Sequence, residues 1–389
     1  MLIKPDLARF AKIRVIGVGG GGGNAIASMI NGGSIRGVDF VVINTDAQVL
    51  LTNPAATKIQ IGENLTRGLG SGGDPETGKK AAEESAKKIE EKIIDADMVF
   101  IAAGMGGGTG TGASPTIAEI SKKAGVLTVG VVTKPFAFEG THRLVVAEEG
   151  ISALKDKVDA LIIIPNQRIL EVVDKKVSLL EAFKMADSVL TASVQGISDL
   201  IVMPGLVNRD FADVKSIMQN AGSALMGIGV GSGETRASVA ARQAISSPLL
   251  EMSIDGARGV LFNIIGGPDM GMTEVDEAAK IIAAAADPDA KIIFGATIDE
   301  TLVDQIKVTV IATGFDENRQ RIGEMRYQSQ FSGSSPFTRT PTTPYSAQAT
   351  PTGDNQNGQA KSDAPEPAKE IEEDFGDELD IPAFLRKRK

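Results

Sequence analysis

The chain has 389 residues, 42% of them hydrophobic, which is enough for two or three domains around a substantial core. It has no cysteine and a single histidine, His142, which excludes disulfides, thiolate metal sites and cysteine nucleophiles and leaves too few imidazoles for a zinc site. A net charge of −10 excludes general nucleic-acid binding; no apolar run could span a bilayer, and Met1-Leu2-Ile3-Lys4-Pro5 lacks a signal peptide's apolar core, so a cytoplasmic location is expected.

Lys12-Ile13-Arg14-Val15-Ile16 predicts a strand, and Gly17-Val18-Gly19-Gly20-Gly21-Gly22-Gly23-Asn24 leads from it into a helical stretch at 25–30. Formally this matches the GxGxxG fingerprint, and the next predicted strand, 39–46, ends on Asp46 at about the distance of a ribose-binding carboxylate. A dinucleotide-dependent enzyme is therefore one reading. Another glycine loop, Gly68-Leu69-Gly70-Ser71-Gly72-Gly73, counts against it, because a pyrophosphate needs one such loop and several suit a triphosphate. The stretch 73–79 has P-loop spacing, but Lys80 stands where Ser or Thr should bind magnesium, Asp74 and Glu76 would face the phosphates, and no strand runs into it. It reads as the start of a helix over 76–96.

The most informative stretch follows a buried strand at 97–103. Gly104-Met105-Gly106-Gly107-Gly108-Thr109-Gly110-Thr111-Gly112 is a glycine loop with two hydroxyls, and Ser114-Pro115 reads as the N-cap and first residue of the next helix. Glycine leaves the amide N–H groups uncovered and the helix dipole favours negative charge, so strand, loop and helix make a phosphate site. A strand at 126–133 and a helix at 139–157 come next; Glu139 and Arg143, four apart, are either a surface ion pair or ligand contacts just past a strand end. A strand at 161–166 ends on the polar Asn166 at the same edge. Alternating strands and helices give a doubly wound, mostly parallel α/β domain.

Ser178-Leu179-Leu180-Glu181 is a capping box, and the apolar spacing behind it predicts a helix up to Pro204, on the order of 37 Å, long enough to join two domains. Phe183 and Asp187 share one side of it: either a core ring beside a solvated carboxylate, or a base site in which the ring stacks and the carboxylate accepts from guanine N1 and N2 hydrogens. Asn208-Arg209-Asp210-Phe211-Ala212-Asp213 reads from sequence alone as a helix start, with Asp210 as N-cap and Asp213 in the first turn. Strands near 225–230, 260–265, 292–298 and 306–313 alternate with helices near 238–246 and 274–286, a second, smaller α/β domain. From 326 to 370 there is no Val, Ile, Leu or Met, which predicts a disordered linker spanning on the order of 40 Å. Apolar residues return from Asp380 to Leu385, followed by Arg386-Lys387-Arg388-Lys389, the pattern of a docking peptide on a tether.

The glycine loop at 17–23, the GGGTGTG at 106–112, the Asn-x-Asp-Phe-Ala-Asp at 208–213 and the terminal Asp-Ile-Pro-Ala-Phe-Leu together resemble the FtsZ family of bacterial cell-division GTPases in the tubulin superfamily. The resemblance implies a GTP-binding domain at 12–177, a central helix at 178–203, a C-terminal domain at 204–316, a linker at 317–370 and a docking tail at 371–389, after an N-terminal extension of 1–11. It implies that Gly20, Gly21, Gly22, Gly23, Asn24, Gly107, Gly108, Thr109 and Gly110 hold the phosphates and neighbouring sugar, with Thr109 and the loop at 68–73 near the γ-phosphate, that Thr133, Glu139, Arg143 and Asn166 surround phosphates and ribose, and that Phe183 and Asp187 hold guanine. It further implies head-to-tail filaments in which Asp210, Asp213 and Asn208 act on the magnesium-bound GTP of the next subunit, a division-site location beneath the membrane, and adaptors and regulators on the tail. Ser71 and Asp74 depart from the Ala and Asn common in the family. A dinucleotide enzyme and a non-hydrolysing tubulin-like scaffold remain as alternatives.

Overall fold

Ile13, Val15, Ile16 and Val18 in the first strand, and the whole run from Met98 to Ala103 in the fourth, are buried on both faces, as a parallel sheet covered by helices on either side requires. The computed structural model describes residues 11–33, 35–172, 177–202, 210–247 and 254–315. Asn208, Arg209, residues 1–10 of the expected N-terminal extension, the linker and the docking tail lie outside the described residues.

β1 (Ile13–Val18) runs into α1 (Gly19–Gly32), β2 (Val38–Asn44) into α2 (Ala47–Thr52), and β3 (Thr57–Gln60) into α3 (Glu63–Thr66), α4 (Pro75–Glu84) and α5 (Ala86–Glu90). β4 (Met98–Gly104) leads to α6 (Gly108–Lys123), β5 (Leu127–Lys134) to α7 (Thr141–Lys155), and β6 (Ala160–Pro165) to α8 (Asn166–Val172). These strands lie parallel in the order β3-β2-β1-β4-β5-β6. The order reverses between β1 and β4, and a doubly wound sheet opens its ligand crevice at that point, outside the carboxyl ends of the strands.

α9 (Leu179–Val202) and α10 (Phe211–Met218) precede the second lobe, built from β7 (Gly222–Ser232), α11 (Arg236–Ile245), β8 (Gly259–Gly266), α12 (Met272–Ala285), β9 (Lys291–Ile298) and β10 (Gln305–Thr313). β10 is antiparallel to both β7 and β8, and β8 pairs β9 in parallel. One ten-stranded sheet runs through both lobes, joined by a short ladder in which Ala160, Leu161 and Ile162 of β6 face Gly222, Ser223 and Ala224 of β7. The long helix is the strut its spacing predicts: Leu190, Val194, Ile197 and Leu200 share one apolar cluster with Ile26 and Met29 of α1 and with Met226, Leu261 and Ile293 of the second lobe.

Three local expectations are corrected. The helix expected over 76–96 breaks at Ser85, whose hydroxyl accepts from the Gly62 amide instead of facing solvent. The helix after β4 starts at Gly108, so Ser114 is not its cap; the Ser114 hydroxyl donates to the Gly110 carbonyl at 2.6 Å from inside the helix, and Pro115 deletes only the bond to the Thr111 carbonyl. Similarly α1 begins at Gly19, not after the glycine run.

Candidate functional site

Two glycine-built helix starts meet at the switch point. A side chain at Gly19 would lie 2.8 Å from the Gly110 amide nitrogen, and one at Gly21 would lie 3.2 Å from the Gly104 Cα, so the first turns of α1 and α6 are in backbone contact. Neither helix has a side-chain cap. Their first amides therefore need another acceptor, and an anion is the natural one. The glycines divide into two kinds. At Gly22 a Cβ would collide with the Ala102 carbonyl, and at Gly112 with that of Pro75; at Gly20 and Gly107 it would meet nothing within 4 Å. The first kind lets elements pack, the second faces open space.

Hydroxyls gather beside this cradle. Thr109 Oγ1 lies 2.7 Å from Thr45 Oγ1 and 3.0 Å from Ser71 Oγ, so residues following β2, α3 and β4 converge on one point. Thr133 is the next-to-last residue of β5, and its Oγ1 stands 3.6 Å from the place of a Cβ on Gly104. Asn24 is exposed on α1, one residue past Gly23. Arg143 packs its stem against Gly106 and pairs with Glu139 at 3.1 Å; the other Glu139 oxygen accepts from the Phe136 amide at 2.9 Å. The pair expected from spacing thus exists, and it fixes the turn carrying Phe136 and Phe138.

That turn forms the aromatic end of the crevice. Phe136 stacks on Phe138 at 5.1 Å and meets Phe183 of α9 edge-on at 5.4 Å. Phe183 is 40% exposed, so it is not a core ring. One turn along α9, Asp187 is pushed up to about 6 by burial. Asn166, at the start of α8, is buried, and its Oδ1 has no hydrogen-bond partner, an orphaned acceptor at the same edge of the sheet.

Asp46 and Asp74 are accounted for locally. Asp46 caps α2, accepting from the Gln48 and Val49 amides, so the carboxylate of the dinucleotide reading is committed to a helix end. Asp74 caps α4 and accepts from the Thr77 hydroxyl at 2.6 Å, the main cause of a carboxyl held below its usual range. The P-loop spacing at 73–79 is therefore a helix start, as its charges indicate.

Asp210 and Asp213 stand elsewhere. Asp210 is the N-cap of α10, its Oδ1 accepting from the Asp213 amide at 2.8 Å. The far part of α10 is tied to the amino-terminal edge of the second lobe: the Ile217 carbonyl accepts from Thr313, and the Ser216 hydroxyl bonds Lys291, which opens β9. The glycine loops lie at the opposite, carboxyl edge. Sequence reasoning missed Thr45, Phe136 and Phe138; their only signal is position, directly after β2 and β5.

Fold and site define a nucleotide-binding α/β protein with a second α/β lobe on a shared strut. Residues 12–174 match the GTPase domain of the Tubulin/FtsZ family, and residues 222–316 match the C-terminal domain of the FtsZ family. The chain belongs to the FtsZ family, and with its GTPase domain comes binding of GTP and GDP. It is similar to the empty FtsZ dimer of M. jannaschii, with 48% identity over 79% of this chain and 89% of that one and a TM-score of 0.76. A point mutant of the M. jannaschii FtsZ gives 49% identity, 78% and 91% coverage and a TM-score of 0.75. CetZ2 of Haloferax volcanii, in a GTPγS-bound protofilament, shares the fold at 21% identity, 82% and 99% coverage and a TM-score of 0.64.

Proposed function

We propose that this chain is a polymerising GTPase of bacterial cell division that hydrolyses GTP between head-to-tail copies of itself. The observation that carries the reading is the pair of uncapped helix starts in contact at the switch point, with the Phe136–Phe183 ring pair and Asp187 toward one side and the Thr45–Thr109–Ser71 hydroxyls toward the other. In this reading Gly20 to Asn24 and Gly107 to Gly110 bind the phosphates through backbone amides. Thr133, Glu139, Arg143 and Asn166 surround phosphates and ribose, the Asn166 Oδ1 gaining a donor it lacks in the protein. Phe183 stacks on guanine and Asp187 accepts from its N1 and N2 hydrogens. The domain limits proposed from sequence stand with it.

Phosphoryl transfer asks for positioning, charge stabilisation and an oriented water, not a covalent nucleophile, which suits a chain of carboxylates, hydroxyls and amides. Asp210 and Asp213 of the next copy, with Asn208, would orient that water. Among the described residues no group of three or more Asp, Glu or His could hold a metal alone, and magnesium commonly arrives on substrate phosphates and needs few protein oxygens. The Thr109 hydroxyl fits that demand. Bound magnesium would neutralise charge on the β- and γ-phosphates.

Self-association has support in the M. jannaschii FtsZ dimer. Among the described residues no helix is long and apolar enough to cross a membrane. Adaptors and regulators gripping the Asp380–Leu385 tail would therefore hold the filament at a mid-cell, cytoplasmic ring. With Asp46 committed to capping α2, the dinucleotide alternative loses its ribose ligand. The test is phosphate release from GTP with magnesium across a series of protein concentrations. Specific activity should rise from near zero above a threshold; constant specific activity would mean a self-contained site, and no release at any concentration would favour the scaffold.

A further inference from the structure

Asp159 is a buried acid that the nucleotide site does not use. It stands immediately before β6, at the amino-terminal edge of the sheet, and is 5% exposed. Its Oδ2 accepts from the Thr128 amide of β5 at 2.9 Å, and its Oδ1 accepts from the Asn220 amide at 3.3 Å. Lys122, in the last turn of α6, sets its ammonium 3.6 Å from Oδ1, and the Asp159 carbonyl accepts from the Gly222 amide at 3.0 Å. A carboxylate suits this place because both of its oxygens accept. An asparagine of the same shape would turn an NH2 group on one of the two amides and lose the attraction of Lys122.

What Asp159 holds is the end of α10. Asn220 lies just past Met218, in a turn where its φ of 53° and the 70° of Gly222 send the chain into β7. The bonds from Thr313 and Lys291 bind α10 to the second lobe, and Asp159 binds its exit to the first. The carboxylate thus fixes α10 relative to the edge that a stacked neighbour's glycine loops would meet. Asp213 lies about two turns before Asn220, about 10 Å along the helix, so a swing of about 10° about that exit would move it by about 2 Å. A misplacement of about 1 Å can cost about a hundredfold in rate.

We propose that Asp159 is a positioning residue for GTP hydrolysis: it aims α10, and with it Asp210 and Asp213, at the nucleotide of the next copy. This rests on the head-to-tail GTPase reading. The test uses two full chains that are each inactive alone: Asp213→Ala, which keeps the glycine loops, and Gly107→Asp, which keeps α10 and loses the nucleotide. Mixed, they are active only where the second chain's α10 meets the first chain's GTP. Asp159→Asn added to the Gly107→Asp chain should lower phosphate release by the mixture about tenfold or more, with co-sedimentation unchanged; added to the Asp213→Ala chain, it should leave release within about twofold. A residue that merely stabilises the sheet would lower both mixtures alike, so equal loss, or no loss, overturns the proposal. Where melting curves show that Asp159→Asn does not fold, Lys122→Met carries the same comparison. Removing the counter-charge at an exposed side chain should loosen the Asn220 bond and lower release about threefold in the first placement only, and equal effects again overturn the proposal. If the unaltered chain releases no phosphate, or the two starting chains co-assemble yet release none, the head-to-tail reading falls and Asp159 falls with it.

Discussion

Burial alone raises the Asp187 carboxyl from its usual 3.8 to about 6. A folded-state value above the unfolded one means that the associated stability is complete at pH below about 4 and is lost as pH rises through about 6. Without nucleotide, the ionised carboxylate is then a cost to the fold at neutral pH, the expected condition of a group kept ready for a donor-bearing base. Asp187→Asn should therefore raise the melting temperature of the nucleotide-free protein at pH 8, by about 1 kcal/mol of stability once water screening of a part-buried group is allowed for. The gain should vanish near pH 4. The same variant should bind GTP about tenfold or more weakly, and the unaltered chain should lose GTP affinity as pH drops below about 6, because a protonated acid keeps one accepting oxygen and can no longer accept from both N1 and N2. Melting curves at the two pH values with GTP titrations check both halves. A variant that melts lower at pH 8, or binds GTP undiminished, would return Asp187 to an ordinary helix-surface acid.

Between elements, the glycines of the 106–112 stretch do two different jobs, and substitution can separate them. Gly112 lets α6 rest on the start of α4, where a Cβ would strike the Pro75 carbonyl, so Gly112→Ala should cost about 2–3 kcal/mol of stability, seen as a lower urea midpoint. Gly107 has extended backbone and open space beyond it, so Gly107→Ala should melt like the unaltered chain yet bind GTP about tenfold more weakly as a methyl crowds one amide–phosphate bond. Equal effects from the two would refute the division. The same division explains what was legible in the sequence. Strand, glycine loop and helix could be read around 97–123 because apolar runs and glycine clusters are local signals. That α1 and α6 begin within the glycines could not, because glycine is a poor helix former and only contact between helices, at Gly108 and Gly78 for instance, makes those turns helical. β3 and α3 are too short for periodicity to register. Asp46 read only as a ribose ligand and Asp210 as either cap or ligand, and the structure displays a cap in both. Phe183 and Asp187 were ambiguous for a similar reason: helical spacing places both on one side of α9, but only Phe136, arriving from β5, makes that side a pocket.

At the scale of the molecule, the shared sheet sets the glycine loops and α10 on opposite edges. Strands of six to eight residues, such as β4, β5 and β6, separate those edges by about 20 Å, too far for Asp213 to serve a nucleotide bound by its own chain. A second copy stacked in the same orientation would bring its amino-terminal edge onto the first copy's carboxyl edge, and such a heterologous contact propagates into a filament. Two defective chains should then repair each other. Asp213→Ala keeps the nucleotide site, so it should bind GTP normally and release no phosphate. Gly107→Asp sets a carboxylate among the phosphates, so it should bind no GTP while still offering an intact Asp213. Mixed in equal amounts, they form one productive contact in four if order along the filament is random, so phosphate release should recover to about a quarter of the unaltered chain's specific activity. A mixture that co-assembles by sedimentation yet stays inactive would remove Asp213 from the reaction. Release by Asp213→Ala alone would place the whole active site within one chain.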